Sequence, residues 1–143
     1  MENDKKYVVC DFADTLNGDI ELMDKLVQLK RNNIDICIAT GYEEDLFIKQ
    51  FGKFFDVFDL PLKDLHLMTC NKTNYIKKDD EFYWPVILKR LKTEAQSIIF
   101  IDDEEKNCKN AIKNGISTIQ YKRGAGVLEQ LDQLLVQKSF VPV

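Results

Sequence analysis

Short stretches rich in apolar residues alternate along the chain with longer stretches in which apolar residues recur every three or four positions. Residues 6–12, 34–40 and 97–102 are apolar runs bounded by charged or turn-forming residues, a pattern typical of strands buried on both faces. A fourth, weaker run spans residues 116–121. We therefore predict four strands in the protein core.

The intervening stretches predict helices, because their apolar residues are spaced as on one helical face. The positions concerned are Ile20, Met23, Leu26, Val27 and Leu29 in the first helix, Leu46, Ile48 and Phe51 in the second, Val86, Ile87 and Leu91 in the third, and Cys108, Ala111 and Ile112 in the fourth. A last helix is predicted over residues 126–137. Strands that alternate with amphipathic helices form a parallel sheet covered on both faces. The predicted fold class is α/β, a Rossmann-like three-layer α/β/α sandwich.

Length and composition narrow the class of protein. The 143 residues, 45% of them hydrophobic, are enough for one domain, which we expect to span residues 1–143. The sequence contains no long apolar run and no signal-peptide pattern, so we expect a cytoplasmic protein without a membrane partner. The net charge of −4 makes nucleic acid an unfavoured partner. Four widely spaced cysteines and one histidine favour reduced thiols over disulfides or a zinc site.

Acidic and hydroxyl residues stand where three of the predicted strands end. Asp11 ends the first strand, Thr40 the second, and the pair Asp102-Asp103 the third. The carboxyl ends of parallel strands meet at one edge of a sheet, so these side chains are expected to share a site. Clustered carboxylates repel each other unless a cation neutralises them, and Mg²⁺ prefers such oxygen ligands. Each aspartate alone could instead cap a helix, but together they favour a site for phosphoryl transfer.

The order of these residues resembles the motifs of the haloacid dehalogenase-like (HAD) phosphohydrolase superfamily over almost the whole chain. The first family motif, D-x-D-[G or D]-T-[L or V] after an apolar strand, is matched by "DFADTL" from Asp11 onward, except at its third position. The second motif, a Ser or Thr ending the next strand, is matched by Thr40 in "ICIATGY". The fourth, an acidic pair, is matched in "IIFIDDEEKNCKNAIKNG". The third, a lysine ahead of a helix, is matched by Lys77 or Lys78.

The resemblance implies a Mg²⁺-dependent phosphatase in which Asp11 is the nucleophile and forms an aspartyl-phosphate. It implies that Mg²⁺ is held by the Asp11 carboxylate, the main-chain carbonyl of Ala13 and the Asp102 carboxylate. Asp103 would support the metal-bound water or the lysine.

The resemblance further implies that Thr40 and either Lys77 or Lys78 bind the phosphoryl group. Only 17 residues (17–33) separate the first motif from the second strand, and 36 residues separate Thr40 from Lys77. Neither segment has room for the cap domain that many relatives carry, so we expect a capless member. An open cleft admits a phosphorylated small molecule or a phosphoprotein, or is closed by a second copy in a homo-oligomer.

Ala13 departs from the family pattern, because the family carries at this position the aspartate that protonates the leaving group and then activates the hydrolytic water. Loss of a general acid costs roughly 10² to 10⁴ in rate for a poor leaving group. Three interpretations are open: a slow or non-catalytic natural member, an enzyme for good leaving groups such as acyl or aryl phosphates, or an engineered Asp→Ala change. Asp14 is not expected to take over, because a shift of one residue points its side chain elsewhere. Phosphonate-cleaving relatives also carry alanine here, but they need a lysine from a cap domain.

Two functions from different classes therefore compete. One is a HAD-type phosphohydrolase that acts through Asp11, and the other is a catalytically degenerate protein with a binding or regulatory role. We assign His66 a structural role, and we expect that Phe82, Tyr83 and Trp84 do not all point into the core.

Overall fold

The computed structural model describes residues 5–141, and its centre is a sheet of five parallel strands. The strands are β1 (Tyr7–Asp11), β2 (Asp35–Ala39), β3 (His66–Met68), β4 (Ile98–Asp102) and β5 (Ser117–Gln120). Their spatial order is β3-β2-β1-β4-β5. The register pairs Asp11 with Ala39 and Cys10 with Ile101, so β1, β2 and β4 end at the same level.

Helices cover both faces of the sheet, as the alternating pattern predicted. They are α1 (Ile20–Arg31), α2 (Glu44–Val57), α3 (Tyr83–Leu91), α4 (Glu105–Lys113) and α5 (Val127–Gln137). α1, α2 and α5 pack on one face, and α3 and α4 pack on the other. The three-layer α/β/α prediction is confirmed. Between β1 and β2 the described chain contains only a tight turn and α1, and no inserted cap domain.

Two predicted details of the elements are wrong. The edge strand β3 was not predicted, because a three-residue strand is too short to show a periodic pattern. Several positions assigned to the buried helix faces are instead exposed: Ile20, Leu46, Ile48 and Ile112. In α4 the buried face contains Asn107 and Asn110 beside Cys108 and Ala111, so hydrophobicity alone misplaced the face by one position.

Other expectations agree with the structure. Tyr83 and Trp84 are buried while Phe82 is 61% exposed, so the three aromatic residues do not all point inward. His66 lies on β3 and its Nε2 is 3.0 Å from Asp35 Oδ2, a structural contact away from the strand exits. All four cysteines are free. None of the described helices is long and apolar enough to cross a membrane.

Candidate active site

The first motif forms a tight turn that carries the chain from β1 to α1. Phe12 and Leu16 are fully buried, and Phe12 packs against Phe47 and Phe51 at ring-centroid distances of 5.1 and 4.5 Å. The turn is closed by a hydrogen bond of 2.9 Å from the Asn17 amide to the Phe12 carbonyl. Burial of its two apolar ends holds the turn against the core. Asp11, at its start, is thereby kept at the sheet edge.

Asp14 has a φ of +59°, in the left-handed region that aspartate tolerates better than most residues. Ala13 and Asp14 are both exposed, and both line the cavity at the carboxyl ends of the strands. The side chain of residue 13 is a methyl group and holds no proton to donate.

Three carboxylates from two strand exits converge in this cavity. Asp11, Asp102 and Asp103 each present an oxygen, and these oxygens lie within 4.8 Å of one another. The Thr15 hydroxyl lies 3.1 Å from Asp11 Oδ2 and 3.2 Å from Asp103 Oδ1. A hydroxyl has only one proton, so it can donate to only one of these two oxygens at a time. The cluster therefore has more acceptor oxygens than donors at this point.

Lys78 is the cation placed among these carboxylates. Its ammonium group donates to Asp11 Oδ1 and also to Asp102 Oδ2, the latter at 3.1 Å. The sequence left Lys77 and Lys78 as alternatives. The structure places Lys78 in the cluster, and Lys77 is an exposed residue that only lines the cavity.

The segment that carries Lys78 is held in place by α4. Asn110 donates through its side-chain amide to the carbonyl oxygens of Lys78, at 2.9 Å, and Asp80, at 2.8 Å. Sequence reasoning missed this residue. The available signal was the spacing of Asn107 and Asn110, which are three positions apart and therefore share one face of α4.

Asp102 is fully buried and is surrounded by donors. Its Oδ1 accepts from the Glu104 amide at 2.8 Å, and its two oxygens lie 3.4 and 3.3 Å from Asn107 Nδ2. These contacts fix the orientation of the carboxylate, and they explain why an acidic group is tolerated at zero exposure.

The electrostatics of the cluster follow from burial and from the excess of carboxylates. Burial raises the pKa of Asp11 to about 7; Asp102 adds to this increase and Lys78 opposes it. Burial by itself would lower the pKa of Lys78, but the charges of Asp11 and Asp102 outweigh burial and raise it. Lys78 is thus a permanent cation, and it is paired with two carboxyl groups of a cluster that contains three. The excess of carboxyl groups therefore favours binding of a further cation in this cluster.

Thr40 completes the set of predicted residues at this edge. It is buried at the end of β2, lines the same cavity, and its hydroxyl oxygen accepts from the Tyr42 amide at 3.3 Å. The cavity has a volume of about 690 Å³. The structure therefore brings Asp11, Thr40, Lys78 and the Asp102-Asp103 pair to one cavity, where oxygen ligands, a cation and a hydroxyl face the same space.

Comparison with solved structures identifies the fold. An uncharacterised protein from Corynebacterium glutamicum matches with a TM-score of 0.71 and 14% identity, over 90% of this chain and 93% of that one. The phosphatase domain in the N-terminal part of a Bacteroides fragilis protein, complexed with Mg, matches with a TM-score of 0.71 and 17% identity, over 91% of this chain and 40% of that one.

A HAD family enzyme from Bacteroides thetaiotaomicron, complexed with magnesium and inorganic phosphate, matches with a TM-score of 0.58 and 22% identity. The match covers 73% of this chain and 52% of that one. A mutant of the same enzyme, with one aspartate replaced by alanine, is also complexed with magnesium and inorganic phosphate. The chain thus spans about half the length of this enzyme and less than half the length of the Bacteroides fragilis chain.

No protein-family model matches the sequence, and no curated protein shows significant similarity to it. The solved structures that resemble the chain include HAD-family enzymes, so the predicted resemblance is confirmed for the fold. At these identities the comparison establishes the fold and not the reaction.

Proposed function

We propose that this protein is a Mg²⁺-dependent phosphohydrolase of the HAD type that acts through an aspartyl-phosphate on Asp11. The observation that carries the proposal is the convergence of Asp11, Lys78 and Asp102 at the exits of two adjacent parallel strands. A nucleophilic carboxylate beside a fixed cation, in a cavity that opens at the sheet edge, suits attack on phosphorus.

The donor set fits a hard divalent cation. All three acidic side chains offer oxygen, the preferred ligand of Mg²⁺, and one ammonium group does not neutralise them. Asp11, the main-chain carbonyl of Ala13 and Asp102 would hold the ion, with Asp103 in support. When bound, Mg²⁺ would screen the carboxylates and neutralise charge on the phosphoryl oxygens. Solved structures of two proteins with this fold contain magnesium, which supports the assignment.

The chain's own residues account for two displacement steps. An Asp11 carboxylate oxygen attacks phosphorus, the bond from phosphorus to the leaving-group oxygen breaks, and that oxygen keeps the electron pair. Water then attacks the phosphorus and gives up a proton to solvent, the bond to Asp11 breaks with its electron pair returning to the Asp11 carboxylate, and inorganic phosphate leaves. In both steps the Lys78 ammonium and the Thr40 hydroxyl hold phosphoryl oxygens while negative charge develops on them.

Ala13 decides which substrates react well. No side chain at this position protonates the departing oxygen, so the proton must come from solvent. We therefore assign acyl or aryl phosphates, whose leaving groups are stable as anions, as the efficient substrates. The cavity volume of about 690 Å³ lies in the range of small-molecule sites and favours a phosphorylated small molecule over a phosphoprotein.

The free cysteines support the proposed cytoplasmic location.

The test is hydrolysis of acetyl phosphate, p-nitrophenyl phosphate and an alkyl phosphate in millimolar Mg²⁺. We expect turnover of the first two by the unchanged chain and none by Asp11→Asn. Ala13→Asp should raise the rate on the alkyl phosphate by about 10² or more, because it restores a general acid. Acid-quenched protein should carry a phosphoryl group on Asp11, detected by mass spectrometry.

Asp14→Asn is the matched control, because it changes the neighbouring aspartate without changing residue 13. We expect it to leave the preference for good leaving groups in place. If Asp14→Asn removes turnover and Ala13→Asp has no effect, Asp14 is the acid and the assignment of leaving groups is wrong. If folded protein hydrolyses none of the three substrates, the phosphohydrolase proposal fails.

The second candidate is a degenerate HAD-like protein with a binding or regulatory role, and Ala13 is the observation that favours it. Such a protein would bind Mg²⁺ and phosphate without turnover. The Bacteroides thetaiotaomicron mutant, complexed with both after loss of one aspartate, shows that this fold can retain them. Binding of Mg²⁺ and phosphate, measured by calorimetry, would favour this candidate if the protein does not hydrolyse acetyl phosphate. A homo-oligomer stays a prediction for either function.

A further inference from the structure

One wall of the cavity is formed by residues 70–76, a loop after β3 that is joined to the beginning of α2 by hydrogen bonds and an ion pair. The Cys70 amide donates to the Tyr42 carbonyl at 3.1 Å, and the Glu44 amide donates to Asn71 Oδ1 at 3.2 Å. The Lys72 ammonium lies 2.8 Å from Glu44 Oε1. Contacts from three loop residues to one helix start make this wall a defined surface of the cavity.

The loop turns at Asn74 and Tyr75, which have φ values of +52° and +61°. Two consecutive residues with positive φ are commonly Asn-Gly, because glycine has no Cβ to clash in this region. This chain carries a bulky tyrosine at the second position, where the left-handed backbone costs energy. Packing does not repay this cost, because Tyr75 is 62% exposed.

The Tyr75 ring is nevertheless held in place. Its hydroxyl donates to Glu43 Oε1 at 3.3 Å, and both residues line the cavity. Tyrosine has an ordinary pKa of 10, and the Glu43 charge raises the pKa of Tyr75 above it. The phenol is therefore protonated at neutral pH and can donate this hydrogen bond. A strained, exposed aromatic ring that is tethered at a cavity is better explained by contact with a ligand than by stability.

We propose that Tyr75 is a specificity-determining residue that stacks on the leaving group of the substrate, and that the substrate class is the phosphate monoester of an aromatic alcohol. The proposal rests on the proposed function and selects one of its two classes of good leaving group. Loss of the acid at residue 13 requires a leaving group that is stable as an anion, and an aryl oxide meets this requirement. The Tyr75 ring can stack on the aromatic leaving group of an aryl phosphate, whereas an acyl phosphate such as acetyl phosphate offers no ring to stack on.

The test measures binding without turnover, by calorimetry with phenylphosphonate and methylphosphonate in millimolar Mg²⁺. In both ligands the phosphorus carries three oxygens and is joined to carbon by a bond that this chemistry does not cleave. Phenylphosphonate has an aromatic ring and methylphosphonate has none. We expect the unchanged chain to bind phenylphosphonate about fivefold more tightly. Tyr75→Ala should bring the ratio of the two dissociation constants close to one. Tyr75→Phe should keep most of the preference, because it retains the ring and loses only the Glu43 hydrogen bond.

Phe82→Ala is the matched control, since Phe82 is an aromatic residue of similar exposure that does not line the cavity. It should leave the ratio unchanged. Equal binding of the two phosphonates by the unchanged chain, or a preference that survives in Tyr75→Ala, overturns the role of Tyr75 and leaves the phosphoryl site intact. If neither phosphonate binds, the phosphoryl site is itself wrong, and the proposed function fails with this inference.

Discussion

Two aspartates on neighbouring strands show how differently one sheet treats the same side chain. Asp35 begins β2 at the amino end of the sheet, and Asp11 ends β1 at the carboxyl end. Their side chains are similarly covered, at 15% and 12% exposed. Burial raises the pKa of both, but at Asp35 the hydrogen bond from His66 and the charges of Lys30 and Lys5 outweigh burial and lower the pKa. Asp11 instead has a pKa of about 7.

The difference lies first in desolvation, which is the largest cause of the raised pKa of Asp11, and then in the neighbouring charges, which outweigh burial only at Asp35. Asp35 is one carboxylate among three basic side chains, at distances from 3.0 to 3.6 Å. Asp11 shares the Lys78 ammonium group with Asp102, and the Asp103 carboxylate lies beside them. A cluster that satisfies its own charges stabilises the fold and does no chemistry. A cluster that leaves charge unsatisfied is a candidate functional site, because a ligand can supply what the protein lacks.

Among substitutions that test the difference between the two clusters, Asp102→Ala is expected to have the largest effect on stability. Asp102→Ala removes the acceptor of the Glu104 amide and of the buried Asn107 side chain, and it removes one of the two acceptors of Lys78. We expect the free energy of unfolding to fall by about 3 kcal/mol or more. Urea denaturation at pH 7 measures this loss. Asp103→Ala, at a partly exposed position, is the control and should cost less than about 1 kcal/mol. Equal losses in the two variants would contradict the assignment.

The next effect is the pH dependence of stability in EDTA. The folded state keeps the Asp11 proton up to about pH 7, whereas the unfolded state releases it near 3.8. Between these values the folded state binds more protons, so stability falls as pH rises. Asp11→Asn lacks this decrease and should gain roughly 3–4 kcal/mol relative to the unchanged chain from pH 4 to pH 8. Parallel stability profiles, measured by denaturation across this range, would refute the prediction.

A smaller effect is expected at Asn110, which positions Lys78 through two main-chain carbonyls. Asn110→Ala should lower the free energy of unfolding by about 1–2 kcal/mol, because both carbonyls lose a hydrogen bond. It should also reduce kcat for acetyl phosphate by roughly tenfold, because Lys78 is no longer held in place. Asn114→Ala, which removes a hydrogen bond to the Asn110 carbonyl at the end of the same helix, should leave kcat unchanged. A loss of stability with normal kcat would show that Asn110 is only structural.

The smallest effect is expected at the amino end of the sheet. Asp35→Asn should cost less than about 1 kcal/mol, because its ion pairs are partly exposed. The folded pKa of Asp35 lies below its unfolded value of 3.8, so the contribution is complete above this pH and is lost as the pH falls below it. Denaturation at pH 7 and pH 3, with and without 0.5 M salt, measures both trends. Turnover should be unchanged; a loss of activity would mean that the two clusters are coupled.

The fold, and which residues meet at the candidate site, could be predicted because their signals are local. An apolar run followed by Asp11, Thr40 or Asp102 identifies a buried strand and its exit without knowledge of the partner strands. Parallel topology then brings the exits together. β3 escaped prediction because its three residues carry no periodicity and its place at the sheet edge is set by pairing with β2.

The sequence by itself determined the layers, the order of the motifs and the alanine at residue 13 of the first motif, since each depends on residue type and spacing along the chain. Only the tertiary structure decided between Lys77 and Lys78, because adjacent residues in a loop have no periodic face and their directions depend on what holds the loop. It also showed Asn110 beneath Lys78 and Tyr75 beside Glu43. These contacts join residues 32 positions apart, and packing of separate elements, which no local pattern records, creates them.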